Sequence, residues 1–213
     1  MATLRLCFIG DSITTGTGDK QMLGWPGRVC ARAVDEGHNV TLYNLGVRGD
    51  TTDDIRKRWR IEAQPRMLAG MKNAVVLAFG LNDTMILETG VARVPFERTL
   101  SNSHAIMIDA RDYLPCLFVG PAPVDDTRPV PGVPLPLVYQ FLNKHIGEVN
   151  DALAGIAVDL QVPYVDVFTP LVGDPDWQQV MQQGDGVHPP AAGYEYLAGL
   201  ISNAPAWRAF FSK

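Results

Sequence analysis

The 213-residue chain carries 18 Lys and Arg against 23 Asp and Glu, a formal charge of −5, and 46% of its residues are hydrophobic. That apolar fraction excludes a disordered chain, and the acidic balance excludes a nucleic-acid backbone binder, which needs a basic surface. The length is that of one domain, residues 1–213.

Leu4, Leu6, Phe8 and Ile9 read as a short buried strand that Gly10 breaks, with Asp11 and Ser12 in the turn that follows. Met1-Ala2-Thr3 leads straight into this strand, which leaves no room for a signal peptide. A helix opens at Gly24-Trp25-Pro26-Gly27, with Pro26 in its first turn, and stops near Gly37. Residues 39–45 form the second strand, ending at Gly46. A helix capped by Thr51-Thr52-Asp53-Asp54 follows, and its basic run Arg56-Lys57-Arg58-Trp59-Arg60 reads as a solvated face. Ala74 to Phe79 is a continuous apolar run, as befits a strand buried on both faces.

A helix from Pro95 to Tyr113 leads to a fourth strand, Cys116–Val119. A proline-dense loop, Gly120 to Pro136, comes next; a loop this long in a compact domain is functional or mobile. A helix is predicted over Val138 to Leu160 and a fifth strand over Tyr164 to Phe168. The turn Gly184-Asp185-Gly186-Val187-His188-Pro189 and a last helix holding Tyr194, Leu197 and Ile201 complete the chain. Strands alternating with helices imply an α/β fold, a three-layer α/β/α domain on a parallel sheet with right-handed crossovers.

In such a sheet the loops after successive strands gather at one edge. Asp11, Ser12, Asn44, Gly46, Asn82, Asp83, Asp185 and His188 are therefore neighbours in space. The set suits acyl transfer: Ser12 needs a base, which His188 can be, and Asp185 can reach the other ring nitrogen if its turn folds back. An oxyanion needs donors, for which the Gly46 N–H, the Asn82 amide and the Ser12 N–H are candidates. Each residue also has a plainer reading. Ser12 and Asn82 can cap helices, and His188 can be a surface turn residue. Asp83 reads as structural, tying loops together.

Gly10-Asp11-Ser12, Asn44-Leu45-Gly46, Gly80-Leu81-Asn82-Asp83 and Asp185-Gly186-Val187-His188-Pro189 resemble, in order, the four blocks of the GDSL/SGNH hydrolases. The resemblance runs from Leu6 to about Ile201. It implies a flavodoxin-like five-stranded sheet in the order 2-1-3-4-5. It makes Ser12 the nucleophile, His188 the base, Asp185 its orienting acid, and Ser12, Gly46 and Asn82 the oxyanion hole. It also implies esterase, lipase, thioesterase or deacetylase activity without a cofactor or metal. The first block, Ser12-Ile13-Thr14, lacks the family's leucine. Arg48 stands where many members have a small residue; it either favours an anionic or polar acyl substrate or faces solvent.

The expected substrate is a small-molecule carboxylic ester or thioester with a short acyl group, since no greasy channel is evident. Two other readings stay open: a carbohydrate O-deacetylase on the same residues, and a nucleotide- or phosphate-binding module built on the glycine-rich segment after Ser12. Gly16-x-Gly18 lacks a third glycine, which counts against a dinucleotide site. Cys7, Cys30 and Cys116 form no C-x-x-C pair and read as core residues of a reducing compartment, so a cytoplasmic location is expected. His38, His104 and His145 read as surface residues, and Asp125-Asp126 as part of a solvated loop. Trp25 and Trp177 either line an acyl pocket or fill gaps. No apolar run reaches the ~20 residues of a membrane span, and a homo-oligomer is compatible with the sequence.

Overall fold

The computed structural model describes residues 2–131 and 138–212. The strands are β1 (Thr3–Gly10), β2 (Asn39–Gly46), β3 (Asn73–Ala78), β4 (Cys116–Val119) and β5 (Tyr164–Val165). All neighbours pair in parallel, in the order β2-β1-β3-β4-β5. The helices are α1 (Ser12–Thr15), α2 (Gly24–Asp35), α3 (Thr52–Ala63), α4 (Phe96–Tyr113), α5 (Asn143–Asp159), α6 (Phe168–Leu171), α7 (Pro175–Gln182), α8 (Ala191–Asn203) and α9 (Pro205–Ala209).

The period-2 alternation of β1 builds both cores. Leu4, Leu6 and Phe8 pack with Trp25, Val29, Tyr194, Leu197 and Trp207 under α2, α8 and α9. Cys7 and Ile9 point the other way, onto Ile55 and Trp59 of α3, Ile106 and Met107 of α4, and Leu153 of α5. Helices thus cover both faces of a parallel sheet whose inner strands β1, β3 and β4 are buried, while the edge strand β2 is only partly so. Gly10 lies in register with Gly46 on one side and Ala78 on the other, so three strands end level. The chain leaves β1 toward β2 and then crosses to β3, which puts the reversal of strand order between β1 and β3. Ligands of open α/β sheets bind in the crevice at that point.

Three expectations change. The predicted fifth strand is cut to Tyr164–Val165, because the Asp166 carboxylate accepts the N–H groups of Phe168 (2.9 Å) and Thr169 (3.1 Å) and turns the chain into α6. The helix predicted from Val138 starts only at Asn143. Val138–Tyr139 instead pairs antiparallel with Val130–Pro131, and Gln140 bridges to Ile86. The last part of the proline loop, Pro134 and Pro136 included, lies outside the described residues. The basic face of α3 is not simply solvated. Arg58 reaches back to the carbonyls of Gly10 (2.9 Å) and Leu45 (2.8 Å), where the first two strands end, while Trp59 is buried in the core.

Candidate active site

Ser12 is the first residue of α1, presented at the carboxyl end of β1 and buried to 3% exposure. Asp11 sets this turn: it is extended, and its Oδ1 accepts the Ile13 N–H at 2.9 Å. The hydroxyl meets His188 across the sheet edge, with Ser12 Oγ 2.8 Å from His188 Nε2. His188 Nδ1 lies 2.7 Å from Asp185 Oδ2. The three-residue spacing works because the turn folds on itself: Asp185 Oδ1 accepts the N–H groups of Val187 (3.0 Å) and His188 (2.7 Å). Burial raises the Asp185 carboxyl, but the ring and these N–H groups outweigh it and hold the acid well below its ordinary range. An ionised carboxylate only accepts, so the imidazole proton sits on Nδ1 and Nε2 is left to accept the Ser12 O–H.

The front of the proline loop buttresses that turn. The Asp125 N–H donates to Gly186 O at 2.8 Å, and Arg128 Nη2 donates to Gly184 O at 3.1 Å. Arg128 is itself held by Asp125 (2.8 Å), whose carboxyl is kept low, first by the Thr127 hydroxyl. Asp126 accepts the Asn143 N–H (3.0 Å), fixing the loop to the start of α5. The pair Asp125-Asp126 is therefore a fastening and not a solvated run.

A cleft of about 770 Å³ opens over Ser12, Asp185 and His188. Asn82, Gly49, Arg48, Arg93, Asp50 and Asp54 supply its polar lining, and Met85, Leu87, Val130, Tyr139, Phe141 and Val187 its apolar wall. Burial presses the Asp50 carboxyl upward despite its Arg58 partner. Phe141, predicted inside a helix, faces this cleft because α5 begins after it. The wall gives the site the apolar surface that the sequence did not reveal.

Of the candidate donors, the Ser12 N–H has no intrahelical acceptor, being at the head of α1, and meets none among the described residues. The Asn82 amide donates to Asp50 O (3.0 Å) and Asp11 Oδ2 (3.2 Å). Gly46 is not brought to the cleft. Its N–H donates to the side chain of Asn44 at 3.1 Å, and Asn44 in turn donates to Thr14 O at 2.8 Å. A Cβ at Gly46 would stand 2.4 Å from Thr15 N, so glycine is required there for the close approach of β2 to α1. The glycine on the cleft is Gly49, with φ +82°, whose N–H meets no acceptor among the described residues and whose carbonyl accepts from Arg93 at 2.8 Å. The Gly-x-x-Gly run Gly46-Val47-Arg48-Gly49 held that signal.

Other sequence candidates fall away from the chemistry. Asp83 is buried and accepts from the Thr52 N–H (3.0 Å), the Thr52 hydroxyl (2.5 Å) and the Thr99 hydroxyl (3.1 Å), tying β3's exit to α3 and α4. Trp25 and Trp177 are core, the latter donating to Pro123 O at 3.0 Å. His38 accepts the Ala2 N–H and stacks on Phe211, His104 is exposed, and half-buried His145 lines a separate hollow. Burial raises the thiols of Cys7 and Cys30 to about 12. Among the described residues no three His, Cys, Asp or Glu side chains gather as a metal site, and no helix is long and apolar enough to cross a membrane.

Residues 8–196 match the model of the GDSL-like Lipase/Acylhydrolase family. The chain belongs to this family. Among solved structures, this GDSL-type chain resembles the lipase/acylhydrolase from Enterococcus faecalis, with 23% identity, a TM-score of 0.76, and coverage of 98% of this chain and 97% of that one. The acetylxylan esterase Axe2 from Geobacillus stearothermophilus gives 17% identity and a TM-score of 0.67, covering 98% and 94%. The psychrotrophic esterase EstA from a Pseudoalteromonas species gives 15% and 0.69, covering 98% and 99%. These likenesses establish the fold of the GDSL hydrolases. No curated protein matches the chain in sequence.

Proposed function

We propose that this GDSL-family protein is a serine hydrolase that cleaves a carboxylic ester or thioester of a small acyl group through an acyl-enzyme. The observation that carries the reading is the continuous relay of 2.7 and 2.8 Å from Asp185 through His188 to Ser12, at the floor of a cleft. Ser12 Oγ attacks the acyl carbon as His188 Nε2 takes its proton. The carbonyl oxygen becomes an oxyanion; when it collapses, the bond to the alcohol or thiol breaks and the leaving group takes the proton from His188. Water then attacks the acyl-Ser12 ester, gives a proton to His188, and leaves as part of the carboxylic acid while Ser12 recovers its proton. Asp185 keeps the imidazole in the required tautomer and stabilises the imidazolium.

For the oxyanion we assign the N–H groups of Ser12 and Gly49 with the Asn82 amide, placing Gly49 where the sequence pointed to Gly46. The two backbone donors are otherwise unengaged. The Asn82 amide already donates to Asp50 O and Asp11 Oδ2, at 3.0 and 3.2 Å, so in the reaction it shares one of these hydrogens with the oxyanion. With p-nitrophenyl butyrate, Ser12→Ala and His188→Ala are expected to lower kcat at least about 10³-fold and Asn82→Ala about 10²–10³-fold. A Ser12→Ala protein with wild-type turnover defeats the mechanism. Across a chain-length series, acetyl to butyryl esters should outrun dodecanoyl; strong preference for long chains contradicts the small-acyl assignment.

A further inference from the structure

The residues lining the cleft divide by exposure into two unlike sets. Met85, Val130, Phe141 and Val187 are 7%, 7%, 4% and 5% exposed and can receive only an apolar group. Also lining it, Arg48 and Arg93 are exposed, and neither lies within ion-pair distance of a carboxylate among the described residues. Two acids also line the cleft; each has partners outside it, and the charge of Arg93 adds to the groups that hold the Asp54 carboxyl below its ordinary range. Asp50 is held by Arg58 at 2.5 Å, and Asp54 accepts from the Thr51 N–H and hydroxyl with Lys57 at 3.9 Å. Arg93 spends one N–H on Gly49 O, and a guanidinium has five. Among the described residues the rest of its fork, and all of Arg48, meets no other hydrogen-bond partner, beside the donors proposed for the oxyanion.

We infer that the cleft selects esters whose alcohol portion bears an anion, carboxylate or phosphate, held by Arg48 and Arg93 while an apolar acyl group lies on the buried wall. This rests on the hydrolase reading above. The sides are assigned by exposure: the acyl group belongs against the buried surface, and the alcohol, which must depart into water, belongs at the rim where both arginines are. Guanidinium is suited to either anion, since its fork matches carboxylate and phosphate alike.

The test compares kcat/KM for four synthetic esters: 4-butyryloxybenzoate, its methyl ester, 4-butyryloxyphenyl phosphate, and the hemisuccinate of methyl 4-hydroxybenzoate. The measured quantity is each anionic ester's rate relative to the neutral methyl ester, in wild type, Arg48→Gln, Arg93→Gln and the double variant. The ratio for at least one alcohol-side anion should fall about tenfold in the double variant, be largely kept in Arg48→Lys, and shrink in wild type between about 50 and 500 mM salt. Whichever of the carboxylate and phosphate arms falls further identifies the anion. If wild type hydrolyses the methyl ester but the variants leave both alcohol-side ratios unmoved, or if only the hemisuccinate ratio responds, the inference fails and the hydrolase reading stands. If folded wild type cleaves none of the four, both fall together. Thermal melts of the variants confirm that the ratios are read on folded protein.

Discussion

Asp11 shows how one side chain can serve both the turn and the chemistry. Its carboxylate is buried, accepts the Ile13 N–H that starts α1, and accepts from Asn82. Burial pushes its pKa up to about 6, against the opposing pull of the Ile13 N–H and His188. An unfolded chain releases this proton near pH 4, so between about pH 4 and 6 the native state holds more protons and loses stability as pH rises. Above about 6 the penalty is complete. Asp11→Asn abolishes this titration. Its unfolding free energy relative to wild type should therefore climb between pH 4 and 6.5, by on the order of 2–3 kcal/mol, whatever fixed cost the substitution adds. Urea melts at the two pH values measure this, and a difference independent of pH contradicts it. The same variant cannot offer Asn82 and Ile13 two acceptors at once, so its esterase activity should fall even where it is stable. At this scale Gly46 and Gly49 also part company. Both stand in one four-residue stretch, and only the backbone path decides which N–H is consumed by a neighbouring side chain and which faces the cleft. That path depends on how β2 packs against α1, a contact between segments about 30 residues apart, and no local pattern encodes it.

At the scale of elements, the turn Gly184–Pro189 depends on a loop that precedes it by some 60 residues. Asp125 and Arg128 hold its carbonyls at Gly186 and Gly184, and through them the positions of Asp185 and His188. Arg128 is two-fifths exposed, so its removal should cost little in stability. Arg128→Ala is expected to lower kcat several-fold with KM nearly constant, because it loosens His188, the proposed base, without touching the rim of the cleft; unchanged kcat overturns the buttress. The Asp185–His188 juxtaposition was legible because it is local, an acid reaching a ring three residues on. The start of α5 was not. The apolar residues from Val138 to Ile146 satisfy a helical period, yet Val138 and Tyr139 are taken by cross-strand pairing and Phe141 by the cleft wall. Tertiary pairing overrode the periodicity there; at Asp166 the cause was local, one carboxylate accepting the N–H groups two and three residues on and ending the strand early.

For the whole molecule, the parallel sheet explains why residues 12, 49, 82, 185 and 188 meet. Three strands end level at Gly10, Gly46 and Ala78, the strand order reverses beside them, and the exits of β1, β2 and β3 share one edge with the turn before α8. Strand order and most strand positions were readable, since continuous apolar runs and glycine stops are strong signals and the four sequence blocks carried the family's topology. The apolar wall was not, because it is assembled from Met85 and Leu87, from Val130, Tyr139 and Phe141, and from Val187, each group short and unremarkable alone.

The most direct test of the central claim, an activated serine at this edge, is labelling of wild type and Ser12→Ala with a fluorophosphonate, read by intact mass. One adduct on wild type and none on the variant is the expected result. Folded wild-type protein that stays unlabelled, or a variant labelled equally, contradicts it.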